Sequence, residues 1–280
     1  MITDYPVCSG GHGEFGFTVL GSGSQGNATV IHSPEGMLLL DAGFSARELQ
    51  RRMALRDIDP SGIRALLLTH AHTDHISGCR VFADRFGIPA YMTASVYQEL
   101  DKHKDCPKQV TVIEPGNAFD LCGVTVDPFP VMHDVEAVAY IFIHGGSRIG
   151  YATDLGYVSM PVVAKLHGCD AIVLESNYDT GTLVASRRPE GVKRRILSRQ
   201  GHLSNDSAIE ALDQILTDRT KQVVFAHLSR ECNDFDMVEQ GLRLALKRMS
   251  RSDVFCEVAR QDMPLETLWI GTAGKERSDA

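Results

Sequence analysis

The stretch THAHTDH, residues 69 to 75, sets His70, His72, Asp74 and His75 directly behind the apolar run ALLL at 65–68. Imidazole nitrogens and carboxylate oxygens are the ligands zinc takes, and manganese or iron accept the same set. His70 and His72 are two apart, so on extended backbone both point the same way. Asp74 and His75 follow where the chain is expected to turn into a helix, and so face a second point. That spacing suits two adjacent divalent ions better than one. A solvated polar loop gives no reason for so many ligand types at the mouth of a buried strand.

Four residues cannot complete two metal sites, so other strand ends must contribute. His133 follows DPFPVM, Asp154 follows the strand RIGYAT, and His227 ends QVVFAH. Each alone reads as a cap or a surface residue. Taken together, four strand ends that all carry ligand-type residues read as one centre.

The elements that must position them alternate in type. FTVL, ATVIHS, GMLLLDAG and IRALLLTH read as strands, the third ending in Asp41. Ser45 and Glu48 have capping-box spacing for a helix to about Leu55, and ISGCRVFADRFG reads as a helix closed by Gly87. Between 109 and 129 the pattern shifts to short strands, and AYIFIHGGSRIGYATD reads as a hairpin through Gly145 and Gly146. Helices near 158–168, over SAIEALDQIL and over DMVEQGLRLALKRM then alternate with the strands DAIVLES, QVVFAH and VFCEVA, after a long connection at 177–207. The expected organisation is an extension at 1–16, one domain at 17–260, and a partly disordered tail at 261–280. Within it, two sheets pack face to face with helices outside.

Composition narrows the class. The chain has 280 residues with 43% hydrophobic and 23% charged, enough for a sizeable core. Neither a membrane span nor a signal peptide is legible, which points to the cytoplasm. Seven cysteines form no CxxC pair, so neither a disulfide framework nor a four-cysteine zinc site is expected. The net charge of -8 argues against a protein that coats nucleic acid non-specifically. Against that background Arg187, Arg188, Lys193, Arg194, Arg195 and Arg199 crowd thirteen positions with only Glu190 opposing them. Such a run is most often a solvated face. Ending three residues before His202, it also suits capture of a phosphate backbone, with Lys193, Arg194 and Arg195 the favoured contacts. In the turn GSGSQGN, Ser22, Ser24 and Asn27 offer donors to a terminal phosphate or to neighbouring loops. A dinucleotide site is rejected there, because extended chain rather than a helix follows. Ser204 is a helix cap and a further candidate phosphate contact.

HAHTDH resembles the HxHxDH signature of the metallo-β-lactamase fold, and the later order His133, Asp154, His227 resembles its dinuclear phosphodiesterase members. The resemblance implies an α+β fold, a four-layer αββα sandwich of two mixed sheets. It implies His70, His72 and His133 on one metal, Asp74, His75 and His227 on the other, and Asp154 bridging them with a shared hydroxide. Asp41 would brace the centre from behind. VLGSGSQGNATV, LLLDAG, LESNYD, KRRILSRQGHLSN and AHLSRECN resemble the YycJ/WalJ-like branch over residues 17 to 260. That branch implies a 5′-to-3′ DNA exonuclease of bacterial cytoplasm. The first fifteen residues and ASRRPEG at 185–191 depart from its pattern.

A hydrolase fits the residues independently. Two divalent ions, zinc favoured over manganese or iron, would activate a water and offset charge on phosphoryl oxygens, with Asp74 orienting the attack. His202 is the candidate proton donor to the leaving oxygen, or else a hydrogen-bond donor to phosphate. The expected partner is DNA with an accessible 5′ end, without membrane or organic cofactor. Small or cyclic phosphodiesters and RNA ends are the alternative substrates, and a non-catalytic metal-stabilised binding protein is a third reading. The pattern sets no oligomeric state.

Overall fold

In the computed structural model, which describes residues 15–271, the apolar runs of the first half form one sheet. Its strands are β1 (Gly16–Gly21), β2 (Ala28–Ser33), β3 (Gly36–Leu40), β4 (Ile63–Leu67), β5 (Ala90–Met92) and β6 (Val110–Val112). The second sheet takes β7 (Phe119–Leu121), β8 (Val124–Val131), β9 (Ala137–His144), β10 (Ser147–Ala152), β11 (Ala171–Glu175), β12 (Gln222–Ala226) and β13 (Phe255–Val258). A last short strand, β14 (Leu268–Trp269), returns to pair with β1. Each sheet is mixed: β3 to β6 run parallel in one, and β10 to β13 in the other.

Alternation along the strands explains the layering. Phe17, Val19, Leu38 and Leu40 meet Tyr140, Phe142, Tyr151 and Val173 in a core between the sheets. The opposite face of the first sheet packs Leu39, Leu66 and Leu68 on helices α1 (Ala46–Ala54), α2 (Thr73–Ile76), α3 (Cys79–Phe86) and α4 (Ala94–Lys102). The second sheet's outer face packs Ile172, Leu174 and Phe225 on α5 (Met160–Leu166), α8 (Asn205–Ile215) and α9 (Phe235–Arg248). This is a four-layer αββα sandwich.

Local signals hold where they were strong. Ser45 caps α1 by accepting from the Glu48 amide at 3.3 Å, and Gly87 ends α3 in the left-handed conformation. Three expectations need correction. The connection at 177–207 contains two short helices, α6 (Thr180–Ala185) and α7 (Glu190–Ile196). Strand β7 was not foreseen. The boundary at 260 falls too early: Gln261 and Leu265 are buried, and β14 lies beyond both. The expectations for residues 1–14 and 272–280 fall outside the described residues. Among the described residues no helix is long and apolar enough to cross a membrane.

One core group makes folding pH-dependent away from the site. His32 on β2 is buried with Nε2 2.8 Å from Thr18 Oγ1, and burial pushes its pKa down to about 4. Its folded value lies below the unfolded 6.5, so the neutral ring's contribution is intact above pH 6.5 and is lost as pH falls through 4. Between those limits stability should drop by up to roughly 3 kcal/mol on this account. Denaturant titrations across that window should show a shallower slope in His32→Gln. Identical slopes would mean that His32 takes up its proton as readily in the folded protein as in the unfolded chain, and that burial does not lower its pKa.

Candidate metal centre

The ligand-type residues sit where parallel strands end, at the edge where loops from both sheets meet. Asp41 follows β3, His70 lies three residues beyond β4, Asp154 two beyond β10, and His227 directly follows β12. Asp41, Asp154 and His227 have φ of 58°, 59° and 56°, a left-handed turn that swings each side chain off its strand. That conformation costs a non-glycine residue of order 1 kcal/mol or more, and it persists because the surrounding contacts fix it.

Those contacts are dense. The Asn27 amide donates to Asp74 O at 2.8 Å, the Gly43 amide to Asn27 O at 2.9 Å, and the Ala42 amide to His75 O at 2.8 Å. No side chain fits at Gly43, where a Cβ would lie 1.7 Å from Asp74 O. Gly43→Ala must therefore push Asp74 aside. A loss of activity on the order of 10²-fold is expected, since an ångström of misplacement has that effect. Kinetics beside metal content would check it, and wild-type values in both would refute the packing argument.

His70, His72 and His133 bring one nitrogen each within 4.8 Å of one another, and Asp74, His75 and His227 form a second such group. Asp154 stands between them. Its Oδ1 is 4.0 Å from Nε2 of both His70 and His133 and 3.4 Å from Nε2 of His227, while Oδ2 is 3.3 Å from Nε2 of His75. The outward ring nitrogens are tied down. Nδ1 of His75 lies 2.7 Å from Asp41, Nδ1 of His133 lies 3.0 Å from the Gly201 carbonyl, and Nδ1 of His227 lies 3.1 Å from Glu175. With Nδ1–H donating outward, each Nε2 lone pair is directed at the centre. His72 is turned the other way, its Nδ1 3.4 Å from His133 Nε2 and its Nε2 3.3 Å from Asp134.

The electrostatics favour cations. Burial opposes charge on His75, yet Asp154 and Asp41 override it and push its pKa up to about 9. His227 is likewise raised well above the ordinary value against its burial, by Asp154, Asp74 and Glu175. Burial would lift Asp74 and Glu175, but facing histidines hold both well below the usual carboxylate range. His70 is lowered well below its usual value by burial and by its neighbours His75, His72 and His133. Protons and divalent ions therefore compete for the same nitrogens. His70 Nε2 and Asp154 Oδ2 are buried without a hydrogen-bond partner. Orphaned polar atoms of that kind are costly unless an ion engages them. The donor set fits a dinuclear centre of divalent metals.

Two carboxylates were not foreseen. Glu175 is fully buried and receives Nδ1 of His202 at 2.7 Å, Nδ1 of His227 at 3.1 Å, and the amides of Leu155 and Leu203. The half-exposed Asp134 links His72 and His133 to Arg195, whose Nη1 is 3.4 Å away. The only prior signals were an acidic residue closing the apolar strand AIVLE and an aspartate beside His133.

The proposed phosphate contacts divide. Ser22 is buried, donating to Asn27 and accepting from the His227 amide at 2.8 Å. Asn27 is buried too, its amide nitrogen 3.0 Å from His75 Nε2. Both brace the centre instead of facing a ligand. Lys193 is turned inward to the Val184 carbonyl at 2.7 Å, and Ser204 caps α8. Ser24, Arg194 and Arg195 are exposed. His202 stacks on His227 at 5.3 Å between ring centroids, with 19% of its side chain accessible.

Known proteins are similar to this chain in sequence and in fold. The family model described as the beta-lactamase superfamily domain matches residues 37–228. Exodeoxyribonuclease YycJ of Bacillus anthracis is 32% identical over 234 residues, covering 82% of this chain and 89% of that protein. Exodeoxyribonuclease WalJ of Streptococcus pneumoniae is 33% identical over 224 residues, covering 78% and 83%. The crystal structure of the metallo-β-lactamase fold protein YhfI from Bacillus subtilis superposes with a TM-score of 0.70 at 15% identity, covering 90% of this chain and 98% of that one. At that identity the likeness speaks for the fold alone. With the ligand clusters of a catalytic metallo-hydrolase on this sandwich, the chain belongs to the metallo-β-lactamase superfamily, as a relative of YycJ and WalJ.

Proposed function

We propose that this chain is a metal-dependent phosphodiesterase that degrades DNA from an accessible 5′ end. The observation that carries the reading is the pair of three-histidine and histidine–aspartate groups around Asp154, in a chain whose relatives across most of both lengths are named exodeoxyribonucleases. His70, His72 and His133 would hold one ion, Asp74, His75 and His227 the other, and Asp154 both. Zinc suits the imidazole-rich set best, with manganese or iron also accommodated. Bound divalent ions supply Lewis acidity toward phosphoryl oxygens and toward water.

The chain's own groups do the rest. His202 donates Nδ1–H to Glu175, which fixes the ring's orientation; in the imidazolium form it would carry a second proton on Nε2 for the leaving oxygen. Asp74, whose carboxylate lies 3.4 Å from His227 and, against its burial, is held below the usual carboxylate range by the facing histidines, would orient the attacking group. Arg194 offers an exposed guanidinium group to the nucleic-acid backbone, and Arg195 would do so in exchange for its contact with Asp134.

End-labelled single-stranded and duplex DNA, incubated with zinc or manganese, tests this beside a H70A/H72A variant. Mononucleotides released from the 5′ end by the parent alone are the expected result. Release from the 3′ end would overturn the polarity. Inert DNA together with hydrolysis of bis(p-nitrophenyl) phosphate would replace the reading with a small-phosphodiester hydrolase.

A further inference from the structure

Beside His133 the surface opens into a cleft of about 430 Å³ lined by Met132, Tyr157, Ser198, Arg199 and Gln200. Its walls come from chain segments that flank residues of the metal centre. Met132 immediately precedes His133, Tyr157 lies three residues past Asp154, and Gln200 precedes Gly201, whose carbonyl receives His133 Nδ1 at 3.0 Å. The Gly156 amide donates to Met132 O at 2.9 Å. A Cβ on Gly156 would lie 2.3 Å from the Arg199 carbonyl and 2.7 Å from Ser198 O. The absence of a side chain there lets the 198–200 segment close against the Asp154 loop, so the cleft is built by backbone contact.

Its chemistry is specific. The Arg199 guanidinium carbon lies over the Tyr157 ring, 4.0 Å from its centroid, a cation–π contact that leaves N–H groups to meet a ligand. Lys193, Arg188 and Arg195 of the same basic run are paired with Glu190, Glu231 and Asp134. Arg199 has no carboxylate partner among the described residues. Met132, 44% exposed, adds its thioether to the lining. An unneutralised guanidinium beside polarisable and aromatic surface suits a flat base with an attached phosphate.

We propose that this cleft receives the nucleotide adjoining the scissile phosphate, its phosphate on Arg199 and its base against Met132 and the Tyr157–Arg199 stack. The proposal rests on the phosphodiesterase reading and adds the subsite beside the reacting group.

The test uses the metal-loaded enzyme hydrolysing bis(p-nitrophenyl) phosphate, with a 5′-phosphorylated, phosphorothioate-linked oligodeoxynucleotide as competitor. The competitor's inhibition constant should rise roughly tenfold in R199A and in Y157A, the scale of one lost base stack. Y157F, which keeps the ring, should restore it, as loss of folding or metal would not. A competitor with abasic terminal residues should inhibit the parent correspondingly less. Failure to inhibit the parent, or equal inhibition of parent and both alanine variants, overturns the proposal. The same parent is assayed on unmodified DNA. Weaker competition in the variants beside an inert response to DNA would remove the exonuclease reading and leave the subsite. DNA degradation beside unchanged competition would do the reverse.

Discussion

Asp154→Asn is expected to lower hydrolysis of bis(p-nitrophenyl) phosphate by on the order of 10³-fold, about 4 kcal/mol of transition-state stabilisation. It should also lower the metal content measured by elemental analysis. Asparagine preserves size and hydrogen-bonding bulk, so the argument concerns charge and donor direction. The carboxylate lies within 3.3–4.0 Å of five imidazole nitrogens, on His70, His75, His133, His202 and His227. It stands between the two ligand sets, with oxygens facing histidines of both. An amide would turn its NH₂ toward one set, placing a donor where a cation belongs, and would remove the charge that opposes two dications. Full metal content with activity within tenfold of wild type would place the chemistry elsewhere.

Glu175→Gln is expected to cost 10- to 100-fold in activity or metal affinity, the usual range when a partner that orients a ligand is lost. One carboxylate oxygen receives the two imidazole nitrogens, at 2.7 and 3.1 Å, and the other receives two backbone amides, at 2.9 and 3.3 Å. Every neighbour is a donor. Glutamine has one acceptor oxygen, so its NH₂ must face either two imidazole N–H groups or two amide N–H groups. A buried mismatch of that kind costs roughly 1–3 kcal/mol, visible as a lowered melting temperature. If Glu175 acts by orienting His202, adding His202→Asn should cost much less in the Gln variant than in the parent. Fully additive losses would show that Glu175 works through His227 or the fold alone.

What the sequence disclosed followed from how concentrated each signal was. HAHTDH packs its ligand types into one turn of chain, and the buried strands before Asp41, His70 and His227 are unbroken apolar runs, so the fold class and the gathered residues were legible. Glu175 was hidden because a lone acidic residue at a strand end has many ordinary uses; only its burial between two imidazoles reveals the role. Ser22 and Asn27 show the converse. Polar side chains in a glycine-rich loop look the same whether they face a ligand or a neighbouring loop, and here the loop folds back on Asp74. On a helix, successive residues point about 100° apart, so Lys193, Arg194 and Arg195 could not all face one substrate. The first turned inward. Helices α6 and α7 have six and seven residues, too short for a clear period. The polar, proline-containing stretch past 260 concealed Leu265 and Gln261, each anchored by tertiary contacts.

The centre draws His70, His72, Asp74 and His75 from the loop and short helix after a strand of one sheet, and His133, Asp154 and His227 from strand ends of the other. Bound ions would therefore act as rivets between the two halves of the sandwich, closing the long chain loops from His70 to His133 and from His75 to His227 without a covalent cross-link. Free metal at a thousand times its dissociation constant adds about 4 kcal/mol to the folded state. Metal supply would then govern the lifetime of the protein as well as its turnover, and a chelated cell would lose the enzyme twice, first its reaction and then its fold.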